Sequence, residues 1–150
     1  MTTDPTALVK AALIDALEKM CREVHELAEP LSEAQFWTRP IQPGNSVGHL
    51  VLHLTGNLNH FVGAQLGGTG YVRDREREFT ETQVPSKSEA LAKLDDAVAT
   101  FRCIVSGLRA EQLAAPHPET RFGPVLSALT YLLAHFALHR GQMSYIVRLL

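Results

Sequence analysis

The sequence has few cysteines, no basic block and no long apolar run, and each absence argues against a class of protein. The two cysteines, Cys21 and Cys103, lie in separate segments, so we expect two buried thiols rather than a disulfide. No run approaches the roughly 20 apolar residues that span a bilayer. The first five residues lack the basic and apolar blocks of a signal peptide. We therefore expect a cytoplasmic protein that does not enter the membrane.

The charge balance argues against a nucleic-acid-binding protein. Fourteen Lys and Arg residues are matched by sixteen Asp and Glu residues, which gives a net charge of −2. Basic and acidic residues alternate from Arg73 to Glu78, so their charges largely cancel. A dense basic patch that could displace phosphate counterions is missing. With 150 residues, 45% of them hydrophobic, the chain is expected to form one domain over residues 1–150.

Four segments have helical periodicity, and stretches that contain Pro and Gly separate them. The first is predicted from about Thr6 to Ala28, and the second from Asn45 or Ser46 to the Gly67–Gly68 pair. The third opens at Ser86 or Ser88, and the fourth extends to the C-terminus. No β-type alternation is sustained. We predict an all-α four-helix bundle, in which a crossover of nearly twenty residues, Gly67 to Pro85, allows helices two and three to run parallel.

Five of the seven histidines fall in helices two and four: His49, His53, His60, His135 and His139. The last two are four residues apart, so they project from one helix face about one turn apart. That face is mostly apolar, and a metal ion would satisfy two imidazoles that are costly to bury unpaired. His53 lies nearest the apolar face of helix two, while His49 and His60 remain alternatives. The pattern predicts a three-histidine metal site, and purely structural histidines are the alternative.

Three histidine ligands leave a coordination position open, which is typical of catalytic metal sites. Imidazole ligands suit zinc, nickel, copper or iron. Asn57, Gln142 and Tyr145 are candidate contacts to the ligands or to a substrate, and each is explained equally well as an exposed helix residue. The other two histidines, His25 and His117, are expected to be surface groups or groups with satisfied hydrogen bonds.

Several of these residues form a pattern that resembles the DinB/YfiT-like family of metalloenzymes over most of the chain. The matching features are Trp37 with Pro40, the segment from Ser46 to Leu54 that contains His53, and the pair His135 and His139 continuing as Arg140-Gly141-Gln142. The resemblance implies a four-helix bundle that binds zinc or nickel through one histidine of helix two and two of helix four. By position, these ligands are His53, His135 and His139.

The resemblance also implies a homodimer and a thiol S-transferase that uses a low-molecular-weight thiol, such as mycothiol or bacillithiol, on a small-molecule substrate. His60 stands where many members have an aromatic residue, which leaves open an altered or fourth ligand. Arg73, Arg75 and Arg77 are candidates to bind a carboxylate of the thiol if the crossover folds over the site, and a solvated loop is the alternative. The competing functions are a non-catalytic dimeric binding or stress-response bundle and a metal-dependent hydrolase on the same triad.

Overall fold

Four long helices build the protein, as the sequence predicts. A computed structural model describes residues 4–150. Residues 1–3 lie outside it, and they belong to the N-terminal segment in which no signal peptide is expected. Helix α1 is Pro5–Ala28, α2 begins as Val47–Leu58, α3 is Lys87–Gly107 and α4 is Val125–Val147. The remaining helical segments are a π-helix Asn59–Ala64 and a turn Gln65–Gly67 that extend α2, the short helices Glu33–Trp37, Arg77–Thr80 and Ala110–Ala114, and the 3-10 turn Thr120–Phe122. Residues 4–150 contain no β-strand.

Capping side chains and one glycine fix the ends of the helices. Ser46 Oγ accepts the backbone N–H of His49 at 3.0 Å, and Ser86 forms a reciprocal capping box with Glu89. The extended α2 ends at Gly68, whose φ of +63° lies in the left-handed region that favours glycine. The predicted helices are confirmed, with starts at Ser46 and Ser86 rather than at the neighbouring alternatives.

Two lysines show that α1 and α3 are antiparallel. Lys10, near the start of α1, donates from Nζ to the carbonyl of Ser106 near the end of α3 at 2.8 Å. Lys87, the first residue of α3, donates to the carbonyl of Leu31, just beyond the end of α1, at 2.6 Å. The two helices therefore lie side by side in opposite directions.

Contacts at two glycines show that α2 and α3 are parallel. A Cβ on Gly63 would lie 3.7 Å from the side chain of Thr100, and one on Gly67 would lie 2.2 Å from that of Ile104. Increasing residue numbers in α2 thus match increasing numbers in α3. The crossover between the two helices is confirmed, and it carries the chain back along the bundle.

The core lies between the four helices, and α2 is the most enclosed of them. Leu52 is the one residue of Val47–Leu58 that is not buried. Helix α2 packs on α3, on α4 and on the crossover helix Arg77–Thr80. No helix in the described residues is long and apolar enough to cross a membrane. Largely buried residues of the core include Leu17, Val24, Phe36, Leu50, Leu54, Leu94, Phe101, Leu129, Leu132 and Phe136.

The expectation of two buried thiols is wrong for one cysteine. Cys21 is buried and Cys103 is exposed, and both are free. Phe101 faces the core, and a residue two positions further on is rotated about 200° around the helix. Cys103 therefore projects from the outer face of α3.

Candidate metal site

Three histidines from α2 and α4 meet inside the bundle. His135 Nε2 lies 3.2 Å from His53 Nε2 and 3.0 Å from His139 Nε2. One nitrogen from each of the three rings lies within 4.8 Å of the others. The structure thus brings together the three histidines expected from the sequence. They form a candidate site for a divalent metal.

Hydrogen bonds on the far side of two rings determine which nitrogens face the site as acceptors. His53 Nδ1 lies 2.8 Å from Glu78 Oε2, and His139 Nδ1 lies 2.7 Å from Gln142 Oε1. Because a carboxylate and an amide oxygen only accept, both Nδ1 atoms donate. In a neutral ring whose Nδ1 donates, Nε2 carries a lone pair. Both lone pairs face the third imidazole, which is the arrangement expected of metal ligands.

The spacing of these nitrogens fits a metal ion. Zinc–nitrogen bonds of about 2.05 Å in a tetrahedral site place two ligand nitrogens roughly 3.3 Å apart. The two Nε2 contacts of His135, 3.2 and 3.0 Å, are close to that separation. A single hydrogen on His135 Nε2 cannot point along both contacts at once. A cation between the rings would satisfy all three nitrogens.

The crossover supplies the carboxylate that orients His53. Glu78 is buried, and it accepts from Arg73 at both oxygens, at 2.6 and 2.9 Å. Burial alone would raise the pKa of Glu78, but the hydrogen bonds from Arg73 and His53 outweigh it and hold the pKa below its usual range. A Cβ on Gly56 would lie 2.0 Å from Glu78 Oε1. Glycine at this position therefore allows the carboxylate to reach the histidine.

Burial favours the neutral forms of His135 and His139. Burial, together with the neighbouring His139 and His53, lowers the pKa of His135 to about 4. Burial likewise lowers the pKa of His139. His135 Nδ1 is buried and finds no hydrogen-bond partner within residues 4–150. Neutral imidazole is the form that binds a metal.

The two alternative histidines of α2 lie outside this group. His49 bonds Ser46 Oγ through Nδ1 at 2.6 Å and the Glu81 carbonyl through Nε2 at 3.1 Å, so both of its ring nitrogens are occupied. His60 is seven residues beyond His53, a rise of about 10 Å along a helix. Its Nε2 faces the Gln65 amide at 3.4 Å. Neither histidine joins the group of three.

The three polar residues singled out beside the histidines have different surroundings. Gln142 contacts His139, as considered above, and Asn57 is buried in the wall of a cavity beside the triad. Tyr145 is 62% exposed and faces a separate groove. Sequence reasoning missed the role of Glu78, because only the folded crossover places it against α2. The sequence offers one local signal, the alternating charges in which Glu78 stands.

A cavity of about 470 Å³ lies beside the triad. His53 and His135 form part of its wall, together with His60 and Tyr131. The ring of Tyr131 stacks on that of His135, with centroids 6.1 Å apart. A small molecule in this cavity would therefore lie next to the candidate metal ligands.

A second cluster is satisfied by its own hydrogen bonds. Cys21, His25 and Asp95 also place possible ligand atoms within 4.8 Å of one another. Asp95 Oδ1 lies 2.7 Å from His25 Nε2 and accepts from the Cys21 thiol at 3.5 Å. Burial and the Asp95 carboxylate raise the pKa of Cys21 to about 12. The buried His117 also has a hydrogen-bond partner, the Phe61 carbonyl at 2.9 Å. His25 and His117 therefore have satisfied hydrogen bonds, as expected.

Comparison with solved structures gives the same fold. A conserved protein from Enterococcus faecalis superposes with a TM-score of 0.76 at 18% identity, covering 99% of this chain and 98% of that one. YfiT from Bacillus subtilis, described as a probable metal-dependent hydrolase with an unusual four-helix bundle topology, gives a TM-score of 0.73 at 21% identity, with 93% and 86% coverage. No curated protein matches the sequence significantly. The family model of the DinB superfamily matches residues 16–143, so the chain belongs to the DinB superfamily.

Proposed function

We propose that the protein is a metal-dependent enzyme that transfers a low-molecular-weight thiol to a small electrophilic substrate. The observation that carries the proposal is the convergence of three histidine nitrogens beside a cavity of about 470 Å³. Zinc or nickel suits such a ligand set. A divalent metal bound there would lower the pKa of a thiol and stabilise the thiolate.

The residues around the triad favour an anionic sulfur. Three neutral imidazoles leave the charge of a dication uncompensated, and Glu78 is already paired with Arg73. A thiol held at a dication is acidic enough to lose its proton to the water of the cavity, so this transfer would need no general base beside the triad. The sulfur then forms a bond to an electrophilic carbon. The bond from that carbon to its leaving group breaks, and the leaving group departs with the electron pair.

A metal-dependent hydrolase on the same triad is the second candidate, because the similar structure YfiT is described as a probable metal-dependent hydrolase. A hydrolase needs a base for its water molecule. Glu78, which bonds His53, also accepts from Arg73 at both oxygens, and no carboxylate lines the cavity in the described part of the chain. We therefore rank the thiol transferase first.

Elemental analysis of the untagged protein tests the metal centre. About one zinc or nickel ion per chain is expected in the wild type and in His25→Ala, a control histidine bonded to Asp95 away from the triad. His53→Ala and His135→Ala are expected to lose the metal. Wild-type protein that binds no metal after reconstitution would favour a non-catalytic binding or stress-response bundle.

Paired assays separate the two chemistries on the same preparation. A thiol transferase forms product from a chromogenic aryl halide only when a thiol is added, and the rate saturates with that thiol. A hydrolase cleaves a chromogenic ester without thiol. Both rates should fall in His135→Ala, so the thiol requirement of the wild type decides between them.

We also propose that the protein is a cytoplasmic homodimer. Apolar side chains near the end of α4 are exposed, including Leu138 at 58% and Leu149 at 44%, and they line a groove of about 620 Å³ with Ile41. A second copy could bury this surface. Light scattering should give twice the chain mass for the wild type and a lower mass for Leu138→Asp. A monomeric wild type at all concentrations would contradict the dimer.

A further inference from the structure

Two arginines from different connections of the fold reach the cavity beside the histidine triad. Arg75 comes from the crossover between α2 and α3, and Arg121 comes from the 3-10 turn Thr120–Phe122 before α4. Both line the cavity that His53 and His135 also line. We infer that Arg75 and Arg121 form a binding site for the carboxylate or phosphate group of the substrate or of the thiol.

Aromatic rings hold both guanidinium groups in place. Arg75 Cζ lies 5.6 Å from the centre of the Phe79 ring, and Arg121 Cζ lies 4.7 Å from that of Phe122. Arg121 also lies 5.5 Å from the Phe61 ring. Stacking on an aromatic face orients a guanidinium group and leaves the N–H groups at its edge free to donate.

The charges of these arginines are not balanced within the cavity. Arg75 makes no salt bridge within residues 4–150. Arg121 has one distant carboxylate, that of Glu119 at 3.8 Å, and the side chains of Arg121 and Glu119 are 58% and 36% exposed. The third arginine of the cavity, Arg73, is only 9% exposed and is paired with Glu78. Two guanidinium groups therefore remain available to an anion.

Arg77, the remaining candidate from the crossover, does not reach the cavity. Arg77 pairs with Glu81 on the outside of the crossover helix. The crossover folds over the site, but it delivers Arg75 alone as a free cation, and Arg121 joins it from a turn almost fifty residues later. The proposed ligand is thus a small oxyanion whose reacting end lies toward the triad and whose charged end lies on Arg75 and Arg121.

The inference rests on the proposed function in one respect, that this cavity is where the substrate binds. Titration calorimetry with simple anions tests the site. The wild-type protein, as purified at pH 8 and low ionic strength, is titrated with inorganic phosphate, with succinate and with succinamide, the uncharged analogue of succinate. At least one anion should bind, and succinamide should not. Binding of phosphate alone indicates a phosphorylated ligand, and binding of succinate indicates a carboxylate.

Three variants locate the binding. Arg75→Gln and Arg121→Gln should each weaken the anion about tenfold, because a charge-assisted hydrogen bond is lost. Arg102→Gln removes the same charge from an exposed side chain that bonds Glu18 instead, and it should bind as tightly as the wild type. No anion binding by the wild type, or equal weakening in all three variants, would overturn the inference.

Repeating the anion titrations after removal of the metal separates this site from the metal centre. Far-UV circular dichroism first verifies that the helices persist. Anion binding that survives metal removal supports the arginine site even if the protein proves not to be a metalloenzyme. Anion binding that disappears with the metal, or is unchanged by both arginine substitutions, would assign the anion to the ion itself and refute the inference.

Discussion

Glu78→Gln tests whether the crossover carboxylate supports both the fold and the candidate metal site. Glu78 and Arg73 are 7% and 9% exposed, and the carboxylate also accepts from His53. The substitution keeps the shape but removes the negative charge. Arg73 is then left buried without a counter-ion, and His53 Nδ1 loses a charged acceptor.

The expected losses are large enough to measure separately. Leaving one member of a buried ion pair unmatched costs about 3 kcal/mol or more, which corresponds to a fall in Tm of about 6–12 °C for a chain of this size. Removing the partner of a metal-binding histidine weakens metal binding about 10- to 100-fold. Urea denaturation of the metal-free protein measures the first effect, and competition with a chromogenic chelator measures the second.

Glu18→Gln is the matched control for both measurements. Glu18 accepts from Arg102 at 3.0 Å in a pair whose side chains are 27% and 63% exposed. Such a surface pair contributes less than about 1 kcal/mol and is remote from the triad. If Glu78→Gln changes stability and metal affinity no more than this control does, the assigned role of Glu78 is wrong.

Three further predictions follow from single features of the structure. In the metal-free unfolded chain His135 binds a proton below about pH 6.5, whereas in the metal-free folded protein it does so only below about pH 4. The free energy of unfolding should therefore fall by about 2 kcal/mol as the pH drops through this window. Urea denaturation at several pH values measures this fall, and His135→Gln should make it smaller. Gly56→Ala places a methyl group against the crossover carboxylate and should weaken metal binding in chelator competition, whereas Gly107→Ala, which meets no neighbour within 4 Å, should leave it unchanged. The exposed Cys103 should react with Ellman's reagent in the native protein, while the buried Cys21, with a pKa raised to about 12, should react only after unfolding; modification of two thiols at the native rate would contradict the structure.

The helices and their order follow from local rules that act within the chain. Ser46 and Ser86 begin helices because their hydroxyl groups accept backbone N–H groups three residues later, and Gly68 ends one because it adopts a positive φ. The pair His135 and His139 was predictable for the same reason, since a spacing of four residues on one helix fixes a common face. These features depend on neighbours in sequence.

The surroundings of the triad depend on packing between distant segments, and the sequence carries little trace of them. Helix α2 is covered on nearly all sides, so its apolar stripe could not show which histidine meets α4. His49 is as buried as a ligand would be, yet the carbonyl of Glu81 in the crossover occupies it. The contact between Glu78 and His53 and the approach of Arg121 to the cavity likewise arise only when the crossover and the last turn fold against the bundle.

His53 in α2 and His135 in α4, whose Nε2 atoms lie 3.2 Å apart, are 82 positions apart in the chain. An ion held by both would act as a reversible cross-link that closes a long loop. A cross-link of that span lowers the entropy of the unfolded chain by an amount equivalent to roughly 4–5 kcal/mol, by analogy with a disulfide. The two helices could then separate only after the ion is released, so the residence time of the metal would set a lower limit on the lifetime of the folded state.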